Sequence, residues 1–357
     1  MKIVGIGDLL IPEEFIKKGF KEAEDLGIEV KTIQWELSNY EELQNINLLV
    51  ETGGSEGYEP PQYILDAVKD ADIIITQFCT VTIKMIDYCD KLKVIGVLRG
   101  GVENVNVNYA EEKGILVFNT PGRNSTAVAD FTVGLLLAEC RNIVRSHMEL
   151  KRGEWLKNYP NKKAIPDLMD KTVGIIGLGE IGKKVAKRLM SFEMNVTAYD
   201  PFVKSPAEGI RMVSLEELME ESDFITVHAR LTKETEKLIS KKLIDSMKPT
   251  AYFINTSRSG LVDEDALYQA LKAKRIAGAA LDVFNVEPPG KDYPLVTLDN
   301  VTITQHLAGS TVDAFLNSPK LLATDMVKMW KNETPRFIIN KDQTKKAIRL
   351  KNLVRKL

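Results

Sequence analysis

The chain has 357 residues, 44% of them hydrophobic and 27% charged, with 48 Lys plus Arg against 50 Asp plus Glu for a formal net charge of −2. That length exceeds one small core and predicts two domains, while the near-neutral balance supplies no field for drawing in nucleic acid or acidic lipid. The longest strongly apolar run, "FTVGLLLAEC" at 131–140, falls short of the ~20 residues a membrane-spanning helix needs. Cys79, Cys89 and Cys140 have neither pairing nor metal-site spacing, so the expected setting is cytoplasmic, with no metal.

From the N-terminus, short Val- and Ile-rich runs alternate with amphipathic stretches, the pattern of parallel βαβ units, and predict an α/β class. "KIVGI" at 2–6 is too short for a signal-peptide core and reads as the first strand. "VETGGSEGYEPPQY" at 50–63 reads as a loop, and "ADIIIT" at 71–76 and "KVIGVL" at 93–98 as further strands. Pro and Gly in "NTPGR" at 119–123 mark a boundary, after which Ser125 is expected to cap one long helix running through Gly153. Strands at 172–177, 195–200, 223–228, 251–256, 277–283 and 301–304 form a six-strand set. Ser310 or Thr311 then caps a helix to about Trp330, so 1–120 with 311–357 is expected to make one discontinuous domain and 121–310 the other. The tail from Asn340, with seven Lys or Arg and one Asp, reads as a solvated or subunit-contacting helix.

The first motif with chemical content is "GLGEIG", Gly177 to Gly182, between the strand "KTVGIIG" and the helical pattern "KKVAKRLMSF". Gly177 permits the tight turn, Gly179 lets backbone N–H groups approach a pyrophosphate, and Gly182 allows close packing of helix on strand. Asp200 ends the next strand 18 residues after Gly182, where its carboxylate suits the adenosine ribose hydroxyls and repels a 2′-phosphate. NAD is therefore expected over NADP, with Lys204 the nearest cation that argues otherwise.

Three later segments place a polar group at the C-terminal end of a predicted strand: "INTSRSGLVDEDAL" with Arg258, "ALDVFNVEPP" with Glu287 and "ITQHLAGS" with His306. Ligands of open α/β sheets bind at such ends. Taken singly, each also reads as an exposed arginine, a loop carboxylate or a packed histidine.

Taken with "NTPGRNSTAVADFTVGLLL", "GLGEIG", "YDP" and "HARLTKET", these segments make the sequence from about residue 71 to 330 resemble the D-isomer-specific 2-hydroxyacid dehydrogenase family, phosphoglycerate dehydrogenase-like members included. The resemblance implies two doubly wound parallel-sheet domains, a Rossmann NAD-binding domain inserted in a flavodoxin-like substrate domain, and a homodimer. It implies that Arg258 forks onto the substrate carboxylate and 2-oxo oxygen, that His306 exchanges a proton with that oxygen, and that Glu287 orients the imidazole and favours its charged form. For NAD it implies backbone contacts from Glu180 and Ile181, a wall at His228 and Ala229, and Thr256, Ser257, Ala308 and Gly309 near the cofactor, with Asp282 on the nicotinamide carboxamide. A small 2-hydroxy or 2-oxo acid, 3-phosphoglycerate or another sugar acid among them, is the implied substrate. The rival is an NADH-sensing binding protein like the corepressors that share the fold. The chain ends too soon after the last family helix for an added regulatory domain to be expected.

One departure concerns the loop that in this family offers N–H groups to the substrate carboxylate. Here it reads Arg99-Gly100-Gly101, with a cation where glycine is usual. Gly100 and Gly101 keep the donors, and Arg99 is expected either to widen recognition toward a phosphorylated or polyhydroxy acid or to be an ion-paired arginine.

Overall fold

In the computed structural model, residues 1–331 and 333–340 are described, and the basic tail beyond Asn340 lies outside them. The chain divides into two compact units, Met1–Arg123 with Thr311–Leu357, and Asn124–Ser310. Each is built on one parallel sheet.

The first unit holds β1 (Lys2–Gly7), β2 (Glu29–Gln34), β3 (Ile73–Thr76), β4 (Val94–Val97) and β5 (Leu116–Phe118), in the order β2-β1-β3-β4-β5. This is the flavodoxin-like order. The inner strands β1, β3 and β4 are near-continuous apolar runs because helices cover both faces. The helix Val312–Trp330 covers one face, with Leu322, Ala323 and Met326 packed among Ile3, Ile16, Phe20 and Ile75. Thr311 caps it through its side-chain oxygen, which accepts from the Ala314 N–H at 3.1 Å. The chain then returns beside β5, where Ile339 N–H donates to the Val117 carbonyl at 2.9 Å and Asn340 accepts from Val117 N–H at 3.0 Å.

The second unit holds β6 (Thr172–Ile176), β7 (Asn195–Tyr199), β8 (Ile210–Met212), β9 (Phe224–Val227), β10 (Tyr252–Asn255), β11 (Gly278–Leu281) and β12 (Val301–Ile303), ordered β12-β11-β10-β9-β6-β7-β8. The order reverses between β6 and β9, the switch point at which a Rossmann sheet binds dinucleotide. The sheet has seven strands where six were expected, because β8 is a three-residue edge strand with one buried position. β2 and β5 also escape the sequence pattern: charged residues alternate along edge strand β2, and β5 has three residues.

Two further expectations are corrected. The stretch 50–63 is no loop: it holds the end of the helix Tyr40–Gly53, the 3-10 turn Gly54–Gly57 and the start of the helix Gln62–Val68. Glu56 fixes the turn by accepting from Ile83 N–H at 3.1 Å and Asn106 Nδ2 at 3.2 Å. The long helix is two, Ser125–Cys140 and Ile143–Lys151, broken at Asn142, whose φ of 56° is left-handed and whose amide donates to Asn161 at 2.7 Å. Asn124, not Ser125, stands at the first cap position.

Candidate active site

The glycine loop follows β6 directly. Gly177 has φ +93°, and a Cβ there would lie 2.7 Å from the Ala229 nitrogen and the His228 carbonyl carbon, so only glycine fits the turn against β9. A Cβ on Gly182 would come within 2.1 Å of the Gly177 carbonyl oxygen, which sets how closely the helix Glu180–Met190 meets the strand. Gly179 faces open space, with nothing within 4 Å of its Cβ position. The first N–H groups of that helix, Glu180 and Ile181, have no intrahelical acceptor, so the loop presents donors and the positive end of the helix dipole to an anion.

Asp200 braces this loop from the end of β7. Its Oδ2 accepts from Leu178 N–H and its Oδ1 from Phe202 N–H, both at 2.9 Å, which holds the carboxylate at the switch point. His228, half-buried at the end of β9, is hydrogen-bonded through Nε2 to the Thr226 hydroxyl at 3.0 Å, and its Nδ1 has no partner among the described residues. Burial of the ring pushes its pKa down to about 3, which favours the neutral form.

The register of β10, β11 and β12 pairs Asn255 with Leu281 and Leu281 with Ile303. Arg258, Glu287 and His306 therefore leave the C-terminal edge of three neighbouring strands. His306 adopts a left-handed backbone, φ 54°, and its Nδ1 lies 2.8 Å from Glu287 Oε2. Glu287 Oε1 accepts from Phe284 N–H at 3.0 Å, so the carboxylate is fixed before it fixes the ring. The pair is half-exposed, and His306 Nε2 is left without a protein partner among the described residues. Arg258 is exposed and donates through Nη1 to the Ser257 carbonyl at 2.7 Å, which sets the guanidinium while leaving donors outward.

Two residues that sequence reasoning passed over build this edge. Asn255 accepts from both the N–H and the hydroxyl of Ser257, at 3.0 and 2.9 Å, and donates to the Arg258 carbonyl at 3.0 Å, shaping the turn that aims Arg258. Thr304 donates to Asp282 at 2.5 Å. A polar residue at the end of a buried apolar strand is the signal that marks Asn255, whereas Thr304 follows the short, partly exposed edge strand β12 and carries no such mark.

Asp282 itself is fully buried. Besides Thr304 it accepts from Leu307 and Ala308 N–H, each at 2.8 Å, so its carboxylate builds the His306 loop, where the resemblance implies a carboxamide contact. Thr256 is likewise turned inward, its hydroxyl 2.8 Å from that of Thr132. Ala308 is buried, and a Cβ on Gly309 would meet Asn124 Nδ2 at 2.3 Å, so both hold the loop against the start of the helix Ser125–Cys140.

The Arg99-Gly100-Gly101 loop belongs to the first unit. Gly100 and Gly101 N–H groups donate to no protein acceptor among the described residues. Arg99 has internal partners: Nη2 lies 2.8 Å from Glu103, Nη1 donates to Asn47 at 3.0 Å, and the guanidinium lies 5.1 Å from the Phe78 ring centre. Arg99 is therefore ion-paired within the first unit.

Fold and loop together define a Rossmann dinucleotide-binding unit. The family model for the D-isomer specific 2-hydroxyacid dehydrogenase NAD binding domain matches residues 133–308. The D-3-phosphoglycerate dehydrogenase of Methanocaldococcus jannaschii is 44% identical over 282 residues, 78% of this chain and 53% of that protein. The glyoxylate reductase of Thermofilum pendens is 38% identical over 297 residues, 80% of this chain and 87% of that protein. The solved structure of the NAD-dependent formate dehydrogenase from Staphylococcus aureus in complex with NAD has a TM-score of 0.67 at 28% identity, covering 95% of this chain and 98% of that one. The chain belongs to the D-isomer-specific 2-hydroxyacid dehydrogenase family. It spans about half the length of the curated phosphoglycerate dehydrogenases it matches.

Proposed function

We propose that this chain is an NAD-dependent oxidoreductase that interconverts a D-2-hydroxy acid and its 2-oxo acid. The observation that carries the reading is the His306–Glu287 pair, 2.8 Å apart, with His306 Nε2 left free two strand-ends away from the exposed Arg258 of the same unit. NAD, when bound, supplies the hydride acceptor, and NADH the donor, at C2 of the acid. Arg258 binds the carboxylate and the C2 oxygen with the paired donors of its guanidinium, a geometry lysine lacks. His306, held through Nδ1 by Glu287, keeps Nε2 for the proton: it donates in reduction and accepts in oxidation. The free N–H groups of Gly100 and Gly101 are suited to a carboxylate, and Asp200 to a ribose diol. Within the class, 3-phosphoglycerate or another sugar acid is the proposed substrate.

NADH oxidation against a panel of 2-oxo acids of three to six carbons, with and without a phosphate, tests this. His306→Asn should lower kcat by about 10²–10⁴-fold on whichever acid is reduced. Equal turnover by the variant refutes the role of His306. Tight NADH binding without turnover of any acid moves the chain to the NADH-sensing reading.

We also propose a homodimer formed through the helix Ile143–Lys151 and the segment after it. No residue of that helix is buried, although Ile143, Val144, Met148 and Leu150 are large and apolar, and Trp155 beyond it is 75% exposed. A nine-residue helix with no buried face lacks the packing that normally stabilises so short an element, and a second copy supplies it.

A further inference from the structure

Glu287 stands in a segment that is neither helix nor strand. Phe284 is rooted in the core of the second unit, but Asn285 to Pro288 are exposed, so packing alone does not fix where the Glu287 carboxylate lies. Two side chains from elsewhere in the same unit reach this segment. Glu264, the first residue of the helix Glu264–Lys272, accepts from Asn285 N–H through Oε2 at 3.2 Å and from the Tyr293 hydroxyl through Oε1. The Tyr293 ring meets the Phe284 ring edge to face, with centroids 5.9 Å apart and planes at 85°. Phe284 N–H in turn donates to Glu287 Oε1, whose other oxygen holds His306 Nδ1. A continuous set of contacts thus runs from Glu264 and Tyr293 through Phe284 and Asn285 to Glu287 and the imidazole.

Each member of this set is suited to hold its neighbour. The helix carrying Glu264 is anchored by its buried face, Ala266, Leu267, Ala270 and Leu271, and is capped by Asp263, which accepts from Ala266 N–H at 3.1 Å. Glu264 therefore projects from a rigid element, at the helix end whose dipole favours a carboxylate. Burial first, and then the bond to Glu264, raise the Tyr293 phenol, so it stays protonated and remains a donor. The core does not need these bonds, because the helix and Phe284 are already buried; what they restrain is the exposed segment that carries Glu287. Proton transfer is sensitive to such restraint, since a displacement of about 1 Å at a reacting group costs on the order of 10²-fold in rate.

We propose that Glu264 and Tyr293 are positioning residues for proton transfer: they clamp the segment from Phe284 to Glu287 so that Glu287 meets His306 Nδ1. Both act through Glu287. The effect on turnover rests on the reading of the chain as a hydroxyacid dehydrogenase, but the clamp lies wholly within the second unit and acts on a ring that can be observed without substrate.

The chain has three histidines, so the full chain labelled with 15N-histidine gives three rings to follow, and His306→Asn identifies the relevant one. Glu264→Ala and Tyr293→Phe should move the Nδ1 and Nε2 shifts of His306 toward those in Glu287→Ala and leave His147 and His228 unchanged, with thermal melts confirming folded protein. On an acid that is reduced, kcat should fall about tenfold in Tyr293→Phe and about 10²-fold in Glu264→Ala, with the KM for NADH changed by less than about twofold. Glu264→Gln, which keeps an acceptor for one of the two donors, should recover part of that loss. In a Glu287→Ala background neither substitution should lower kcat further by more than about twofold, because a residue that acts through Glu287 has nothing left to position. His306 shifts and kcat equal to the parent in both variants overturn the clamp, and so do losses that multiply with that of Glu287→Ala. If no acid is turned over, the dehydrogenase reading fails and the His306 signals still decide the clamp.

Discussion

Glu287 illustrates how one carboxylate does two local tasks. One oxygen takes the Phe284 N–H and the other faces His306 Nδ1, so the ring's tautomer and its direction are set by a group that is itself anchored. Glu287→Gln keeps the size and the first bond but replaces the carboxylate oxygen that faces Nδ1 with an amide. We expect kcat to fall by about 10²–10⁴-fold in both directions, by analogy with other oriented histidines, with the KM for NADH changed less than twofold. A large rise in that KM alone would show that Glu287 serves the cofactor site. The chemical type of this residue was readable in the sequence, and so were Arg258 and His306 as strand-end groups. That Arg99 has internal partners was not, because Asn47 lies 52 residues away and Phe78 is brought to it by the sheet.

Among the elements, the loop after β12 depends on a buried acid. Asp282 accepts one hydroxyl and two backbone N–H groups while fully buried, so Asp282→Ala strands three donors. A cost of about 2–4 kcal/mol in stability is expected, seen as a lower midpoint in urea, together with a loss of turnover as His306 loses its mount. Unchanged stability would mean that water satisfies those donors without the carboxylate. From sequence, Asp282 sits in an apolar strand pattern where its inward bonds are invisible; the partners lie about 25 residues on and meet it only across the β11–β12 pairing. The helix break at Asn142 was hidden for a similar reason. Its side chain is drawn to Asn161 by tertiary structure, while the local pattern reads as unbroken helix.

At the scale of the whole molecule, stability should carry the signature of Asp8. Its folded pKa is raised from the ordinary 3.8 to about 6. Below pH 4 the group is protonated in folded and unfolded chain alike and contributes nothing; between about 4 and 6 the folded state holds the extra proton, so stability falls as pH rises; above that the cost is complete, ~3 kcal/mol. Asp8→Asn retains an acceptor for Leu10 and Ile11 N–H and should be more stable than the parent at pH 8 but not at pH 4, in urea unfolding at both. An equal difference at the two values would remove the charge from the account. The dimer is tested at the same scale: Met148→Glu with Trp155→Glu, placing charge on the exposed apolar face, should reduce the mass by light scattering to that of one 40.0 kDa chain. A parent already of that mass would dismiss the interface.

The sequence by itself determined the α/β class, the glycine loop with Asp200 at the right spacing, the helix capped by Ser310 or Thr311, and the identities of Arg258, Glu287 and His306. These are local: they depend on period, turn chemistry and short motifs, which a few consecutive residues specify. Tertiary structure alone decided that three-residue strands such as β5 and β8 exist, since so short a run gains its stability from a neighbouring strand. It likewise decided that Asp282 and Thr256 face inward, that Arg99 is paired, and that Tyr293 reaches Glu264. Burial and hydrogen-bond satisfaction are properties of what surrounds a side chain, and here those surroundings come from strands distant in the chain and adjacent only in the sheet.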